Sequence, residues 1–293
     1  MKIKDKSLEI RVPNDSAFRF ETSTHLPKLH QNMIFIGCRG SGKGVSMSNM
    51  IRMLPFDRVL CISPTFKSNK EILKDLNINE EDVFCPDDKD VIEKIMKIGE
   101  QEVEDLERYR SDLKMFNKFK KLLQSSSQFI PDELLLQFYD GSSFNFKPPE
   151  HKYNGREPIL ALIVDDCQGT NLFRSKRFQN CVIRHRHCFE FKEGGALGIS
   201  LFICCQNYKA AAGGGLPRAI RNNCTSMVLF KTKDKKTLKE MAEEVAGEVD
   251  EETFLNVYQR ATDEPHSFLF IDLNKKKEHL SMFRKNFNEY IQP

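Results

Sequence analysis

The chain has 293 residues, 40% of them hydrophobic, enough to bury a core in one large domain or two small ones; this excludes a collagenous, fully disordered or mini-protein chain. Its 45 basic and 42 acidic residues nearly cancel, so overall charge points to no partner. The most apolar stretches, 158–164 and 196–205, fall well short of the roughly 20 residues a bilayer span requires, and the start of the chain lacks a secretory apolar run.

Residues 33–36 form a short apolar run that enters a glycine-rich turn, and a helical pattern follows from Val45 to Met53 until Pro55 stops it: strand, loop, helix. A second strand is predicted at 59–63, closed by Pro64. From 66 to 157 the chain is charged, with Ile92, Ile95, Ile98, Val103, Leu106, Leu113 and Phe116 at three- to four-residue spacing. This predicts a mainly helical, acidic insertion packed against the core, with Gly99 separating two helices and a loop-rich end over 124–156. Apolar strands resume at 159–164, 199–205, 226–230 and 267–271, continuous as in a parallel sheet covered on both faces. The alternation predicts an α/β fold, mainly parallel. The expected parts are 1–65 with the first strands and glycine loop, the insertion 66–157, the remaining core 158–273, and a solvated basic tail 274–293 carrying Lys275, Lys276, Lys277, Arg284 and Lys285.

Charge is unevenly distributed. Residues 80–112 hold thirteen acids against five bases, whereas 167–233 hold eleven bases and only Glu190 and Glu193 as acids. The first stretch repels polyanions and the second attracts them. The nine cysteines are odd in number, show no C-x-x-C spacing and mostly sit in apolar runs, so they are expected to be reduced thiols.

Gly37-Cys38-Arg39-Gly40-Ser41-Gly42-Lys43 stands between an apolar strand and the first turn of a helix, where a phosphate-binding loop belongs. Glycines let successive N–H groups turn inward, the helix N-terminus adds partial positive charge, and Lys43 reaches the β- and γ-phosphates. The hydroxyl residue that normally follows the lysine and binds Mg²⁺ is replaced by Gly44. Ser46 lies about 200° further round the helix and is not expected to substitute for it. Water can fill the position, so the reading is weaker metal binding and slower turnover.

A second motif follows at 159–166, an apolar strand delivering Asp165 and Asp166 at its end. Asp165 suits a Mg²⁺-holding role and Asp166 can polarise an attacking water. Asp166-Cys167-Gln168-Gly169 also matches the D-x-x-G of GTPases, but no N-K-x-D follows; His185 and His187 lack a third ligand for a metal site. Downstream come Arg184-His185-Arg186-His187, a strand ending in Gln206, and Pro217-Arg218-Ala219-Ile220-Arg221-Asn222-Asn223. An amide at a strand's C-terminal tip can sense a γ-phosphate, and arginines can act across a subunit boundary.

Over roughly 33–230 this set of motifs resembles the FtsK/HerA-type genome-packaging ATPases of large DNA viruses, virophages and polinton-like elements. The resemblance implies a P-loop NTPase fold of the additional-strand (ASCE, RecA-like) type, with ATP and Mg²⁺ as cofactors. It also implies a ring of identical subunits, a hexamer or pentamer, that drives double-stranded DNA into a preformed capsid. Lys43 carries over as the phosphate lysine, Asp165 and Asp166 as the metal and water-activating acids, and Gln206 as the sensor. Arg186 is the first candidate for an arginine finger, Arg184 the second, and Arg221 another. The basic window would line the ring's channel by backbone charge contacts, with Lys209, Gly213, Gly214, Gly215 and Arg218 as candidate DNA contacts. A capsid or portal protein is the implied further partner, and the host cytoplasm, a viral factory or the virion the implied location. Gly44 and the acidic insertion depart from the family pattern. Two alternatives remain: a non-hydrolysing, nucleotide-gated DNA-binding or assembly protein, and a related translocase or helicase of replication or repair.

Overall fold

The computed structural model describes residues 20–65, 74–124, 132–138, 146–209, 215–245 and 249–293. Short runs rich in Ile, Leu, Val and Phe become strands because alternate side chains can be buried on opposite faces of one sheet. The strands are β1 (Asn32–Ile36), β2 (Arg58–Ile62), β3 (Val83–Phe84), β4 (Leu160–Val164), β5 (Ser200–Cys205), β6 (Ser226–Phe230), β7 (Phe268–Asp272), β8 (Phe283–Lys285) and β9 (Glu289–Ile291). Among the described residues they form one sheet in the order β3-β2-β4-β5-β1-β6-β7-β8-β9. The pairs from β3 to β6 are parallel, and β7, β8 and β9 add antiparallel strands.

The helices are α1 (Lys43–Met53), α2 (Val91–Gln124), α3 (Asp132–Phe138), α4 (Lys176–Ile183), α5 (Arg218–Arg221), α6 (Lys235–Val245) and α7 (Glu251–Ala261). Met33 and Phe35 of β1 pack in one core with Met47, Met50 and Ile51 of α1. Ile34 and Ile36 belong to the other core, with Ile95 of α2, Phe178 of α4, Met241 of α6 and Phe254 of α7. Helices therefore cover both faces. β5 stands between β1, which feeds the glycine loop, and β4, which delivers the paired acids. That interposed strand is the signature of the additional-strand arrangement, and it brings three strand tips to one edge of the sheet.

Three features differ from the sequence reading. Helix α2 runs unbroken through Gly99. A β-carbon there would lie 2.2 Å from Cε1 of Phe189, so the glycine provides clearance for a ring and does not end a helix. The insertion also enters the sheet through β3, and Arg58 of β2 bonds Asp82 at 2.6 Å and Glu102 of α2 at 2.9 Å. Finally, the expected solvated tail is folded. Arg284 is 1% exposed, lies 5.3 Å from the centre of the Phe270 ring and 4.6 Å from that of Tyr290, and donates to His25 O at 2.7 Å. Lys285 pairs with Asp263 at 2.7 Å and Glu264 at 3.0 Å. Counting charges along a sequence misses partners brought in from distant segments. Among the described residues no helix is long and apolar enough to cross a membrane, and all nine cysteines are free.

Candidate functional site

The glycine loop is built on β1. Gly37 N–H donates to Cys205 O at 3.2 Å, tying the loop to the tip of β5. Its α-carbon sits so close to neighbours that a side chain would begin 2.6 Å from Ser41 Oγ and 2.8 Å from Phe230 Cβ. Gly40 and Gly42 have φ of 76° and 103°, left-handed values that glycine adopts without steric cost. Gly42 is the N-cap of α1, whose first turn has neither an acidic residue nor a side-chain cap among the described residues. The helix start therefore keeps the unspent N–H groups and positive dipole end that suit an anion. Lys43 Nζ donates to Gly37 O at 2.6 Å and Cys38 O at 2.9 Å, which curls its ammonium back over the loop. Cys38, Arg39 and Gly40 are exposed, whereas Ser41 Oγ is buried without a partner among the described residues.

Gly44 occupies the second position of α1 and offers no hydroxyl. Ser46 does not compensate, since its Oγ donates to Gly42 O at 3.1 Å and it is 8% exposed.

Asp165 and Asp166 leave the end of β4. Asp165 N–H donates to Ile62 O at 3.0 Å and its residue is half-buried; Asp166 is exposed and adopts φ 52°, a left-handed conformation that Asp tolerates better than most residues. Burial first, then the adjacent Asp166 carboxylate, push Asp165 above the usual carboxylate range, with Lys43 close enough to pull it back. A carboxylate in this setting gains from a cation. The two acids are hard oxygen donors, and Mg²⁺ takes one or two protein carboxylates while keeping waters and phosphate oxygens, so the residues present fit that ion.

Gln206 follows β5 and is exposed. Its N–H donates at 2.6 Å to Oε1 of Gln168, in the turn just after the paired acids. Lys43, Asp165, Asp166 and Gln206 thus come together at the C-terminal ends of β1, β4 and β5, where ligands of open α/β sheets bind.

The arginines are elsewhere. Arg184, His185, Arg186 and His187 precede β5, and Ile199 N–H donates to His185 O at 2.8 Å at the root of that strand. They lie on the opposite edge of the sheet, about 20 Å from the strand tips at the rise of six extended residues. Arg184 is exposed and pairs with Glu190 at 3.1 Å; Arg186 is half-buried beside a cavity of about 280 Å³ lined also by His187, Glu190 and Gly194. Arg221 turns inward instead. It pairs with Glu244 at 3.3 Å, donates to Leu216 O at 3.0 Å, and lies 5.2 Å from the centre of the Tyr208 ring. Lys209 shares Glu244 at 2.8 Å, and Tyr208 Oη donates to the same carboxylate. Arg218 is exposed at the start of α5, and Gly215 is half-buried; Gly213 and Gly214 fall outside the described residues.

Several cations of the basic window are therefore engaged: Arg177 with Glu93, Lys192 with Glu107 at 3.3 Å, and Lys209 and Arg221 with Glu244. Glu93 and Glu107 belong to α2, so the acidic insertion faces part of the basic stretch and offsets it. Sequence reasoning missed Gln168, Glu244 and His266. His266 Nδ1 lies 3.3 Å from Ser41 O, at the glycine loop. Gln168 was visible only as a filler position of D-x-x-G, while Glu244 and His266 carry no local pattern.

Neither a protein family model nor a curated protein matches the chain. Among solved structures it is similar to the genome packaging NTPase B204 from Sulfolobus turreted icosahedral virus 2. Against that protein in complex with ATP-gammaS the TM-score is 0.44 at 12% identity, covering 87% of this chain and 95% of the other. Against its complex with AMPPCP the TM-score is 0.45 at 10% identity, covering 89% and 98%.

Proposed function

We propose that this chain is an ATP hydrolase that moves double-stranded DNA and packages a viral genome into a preformed capsid. The observation that carries the reading is the convergence of the glycine loop, Lys43, Asp165, Asp166 and Gln206 on three adjacent strand tips, with an uncapped helix start facing them. Loop N–H groups and Lys43 hold the β- and γ-phosphates of ATP. Asp165 holds Mg²⁺, which when bound neutralises phosphate charge. Asp166, exposed at the end of its strand, orients and polarises the attacking water, and Gln206 registers the γ-phosphate.

Arg186, or next Arg184, serves as the finger of a neighbouring copy in a ring of identical subunits. Their position at the root of β5, remote from their own strand tips, supports action in trans over action in cis. Arg221 is the weakest of the three because Glu244 already holds it. Gly215 and Arg218, with the sequence-assigned Gly213 and Gly214, contact the DNA backbone without reading bases, and Lys209 joins them only on leaving Glu244. Genome packaging and the capsid or portal partner rest on the motif resemblance.

The test is ATP turnover with and without double-stranded DNA across protein concentration. Turnover should rise steeply with concentration, increase with DNA, and vanish in Lys43→Ala and Asp166→Asn. An assembled wild type that binds ATP without hydrolysing it would favour the second reading, a nucleotide-gated DNA-binding protein, to which Gly44 in place of a metal-binding hydroxyl lends support. Turnover without packaging in a capsid assay would favour a translocase or helicase acting elsewhere.

A further inference from the structure

The ladder between β4 and β5 has its last pair at Val164 and Ile203. Beyond it the two tips, one carrying Asp165 and Asp166 and the other Gln206, no longer share strand hydrogen bonds. Asp165 N–H turns the other way, to Ile62 O on β2. Besides the bond between Asp165 and Cys204 of β5, a side chain from the following turn rejoins them. Gln168 Oε1 accepts the N–H of Gln206 at 2.6 Å and that of Asn207 at 3.2 Å, while its Nε2 donates to Asn207 O at 2.8 Å.

The turn that presents this amide is itself held. Thr170 N–H and Oγ1 both donate to Cys167 O, at 3.2 Å and 2.8 Å, and Gly169 has φ 91°, the value a type II turn requires at its third residue. Cys167 beneath is fully buried, with Sγ 3.2 Å from Asp165 O. From the backbone carbonyl of Asp165, through Cys167 and its turn, to the sensor backbone there is thus a continuous chain of short contacts.

Only glutamine fits all three bonds. Asparagine is one methylene shorter, leucine has the shape without the polar atoms, and glutamate keeps the two accepted bonds but loses the donor to Asn207 O. We propose that Gln168 is a positioning residue that fixes Gln206 relative to Asp165 and Asp166, so that the acid loop and the sensor respond to the γ-phosphate as one unit. The proposal rests on the nucleotide reading above.

The test compares Gln168→Leu, Gln168→Glu and Gln206→Ala, singly and with Gln168→Leu combined with Gln206→Ala. Gln168→Leu should lower kcat for ATP about ten- to hundredfold, as small misplacements of reacting groups do, with KM within about threefold. Gln168→Glu should fall between wild type and Gln168→Leu, and the double variant should be no slower than Gln206→Ala alone. Losses that multiply in the double variant, or equal losses in the Leu and Glu variants, would overturn the positioning role. A second readout needs no turnover: amide exchange at Gln206 and Asn207 should quicken in Gln168→Leu. Unchanged exchange there retires the tether whatever the kinetics, whereas a wild type that fails to bind ATP retires the nucleotide reading instead.

Discussion

Phe189 lays its ring against Gly99, in the third turn of α2, so closely that a β-carbon on the glycine would stand 2.2 to 2.3 Å from three ring atoms. Alanine would ordinarily stabilise a mid-helix position by about 1 kcal/mol, but overpacking a ring that is 4% exposed costs about 1–3 kcal/mol. Gly99→Ala should therefore destabilise, measured as a lower urea midpoint. Adding Phe189→Leu should recover part of the loss.

Asp165 yields a trade-off between stability and activity. Its pKa is raised by burial and by Asp166, so between the ordinary and the raised carboxylate pKa the folded protein binds a proton more tightly than the unfolded chain. Stability contributed at this site is lost as pH rises from the ordinary carboxylate pKa through the raised one. Asp165→Asn should raise Tm near neutral pH by roughly 2–4 °C, with the gain disappearing in acid, while turnover is abolished. Scanning calorimetry over pH alongside an ATPase assay tests both halves.

His30 has the opposite sign. It is 5% exposed, and burial, followed by repulsion from His185, lowers its pKa from 6.5 to about 4. The unfolded chain binds the proton first, so stability falls as pH drops from about 6.5 towards 4, by about 3 kcal/mol for this group. Urea midpoints at steps between pH 7 and 4.5 should show the slope, and His30→Gln should flatten it whatever its effect at pH 7.

Arg184 and Arg221 should separate on stability. Arg184 and Glu190 are 66% and 64% exposed, so Arg184→Ala should stay within about 0.5 kcal/mol of wild type. Arg221 is 11% exposed against Glu244 at 26%, and Arg221→Ala should cost about 1–3 kcal/mol, discounted from a fully buried pair for the exposure of the acid. For activity, Arg186→Ala and Asp166→Asn should each be inactive alone, yet regain partial turnover when mixed, because a finger acting in trans pairs one variant's intact site with the other's intact arginine. No recovery on mixing would remove Arg186 from the role.

The central strands were legible because buried parallel strands are continuous apolar runs; 226–230 matches β6 end for end, and the others shift by one residue. The glycine loop was legible because Gly37, Gly40 and Gly42 answer to steric and left-handed requirements that no other residue meets so cheaply. What sequence could not show is pairing at a distance. Arg284 looks like a solvated cation until Phe270, Tyr290 and His25 O surround it, and Lys209 looks free until Glu244 arrives from α6. Gln168 is the same case at the site itself, since its partners lie almost forty residues away.

Among the described residues the sheet ends on one side in β3, two residues long, and on the other in β9, three residues long. Short terminal strands offer few open backbone groups to an incoming chain, which is how many proteins avoid fusing edge to edge. Copies of this chain are therefore poorly suited to joining by lengthening one another's sheets through these strands. Contacts in any ring would fall to helices and to the loops at the strand ends, surfaces that can slide or tilt without breaking a backbone ladder.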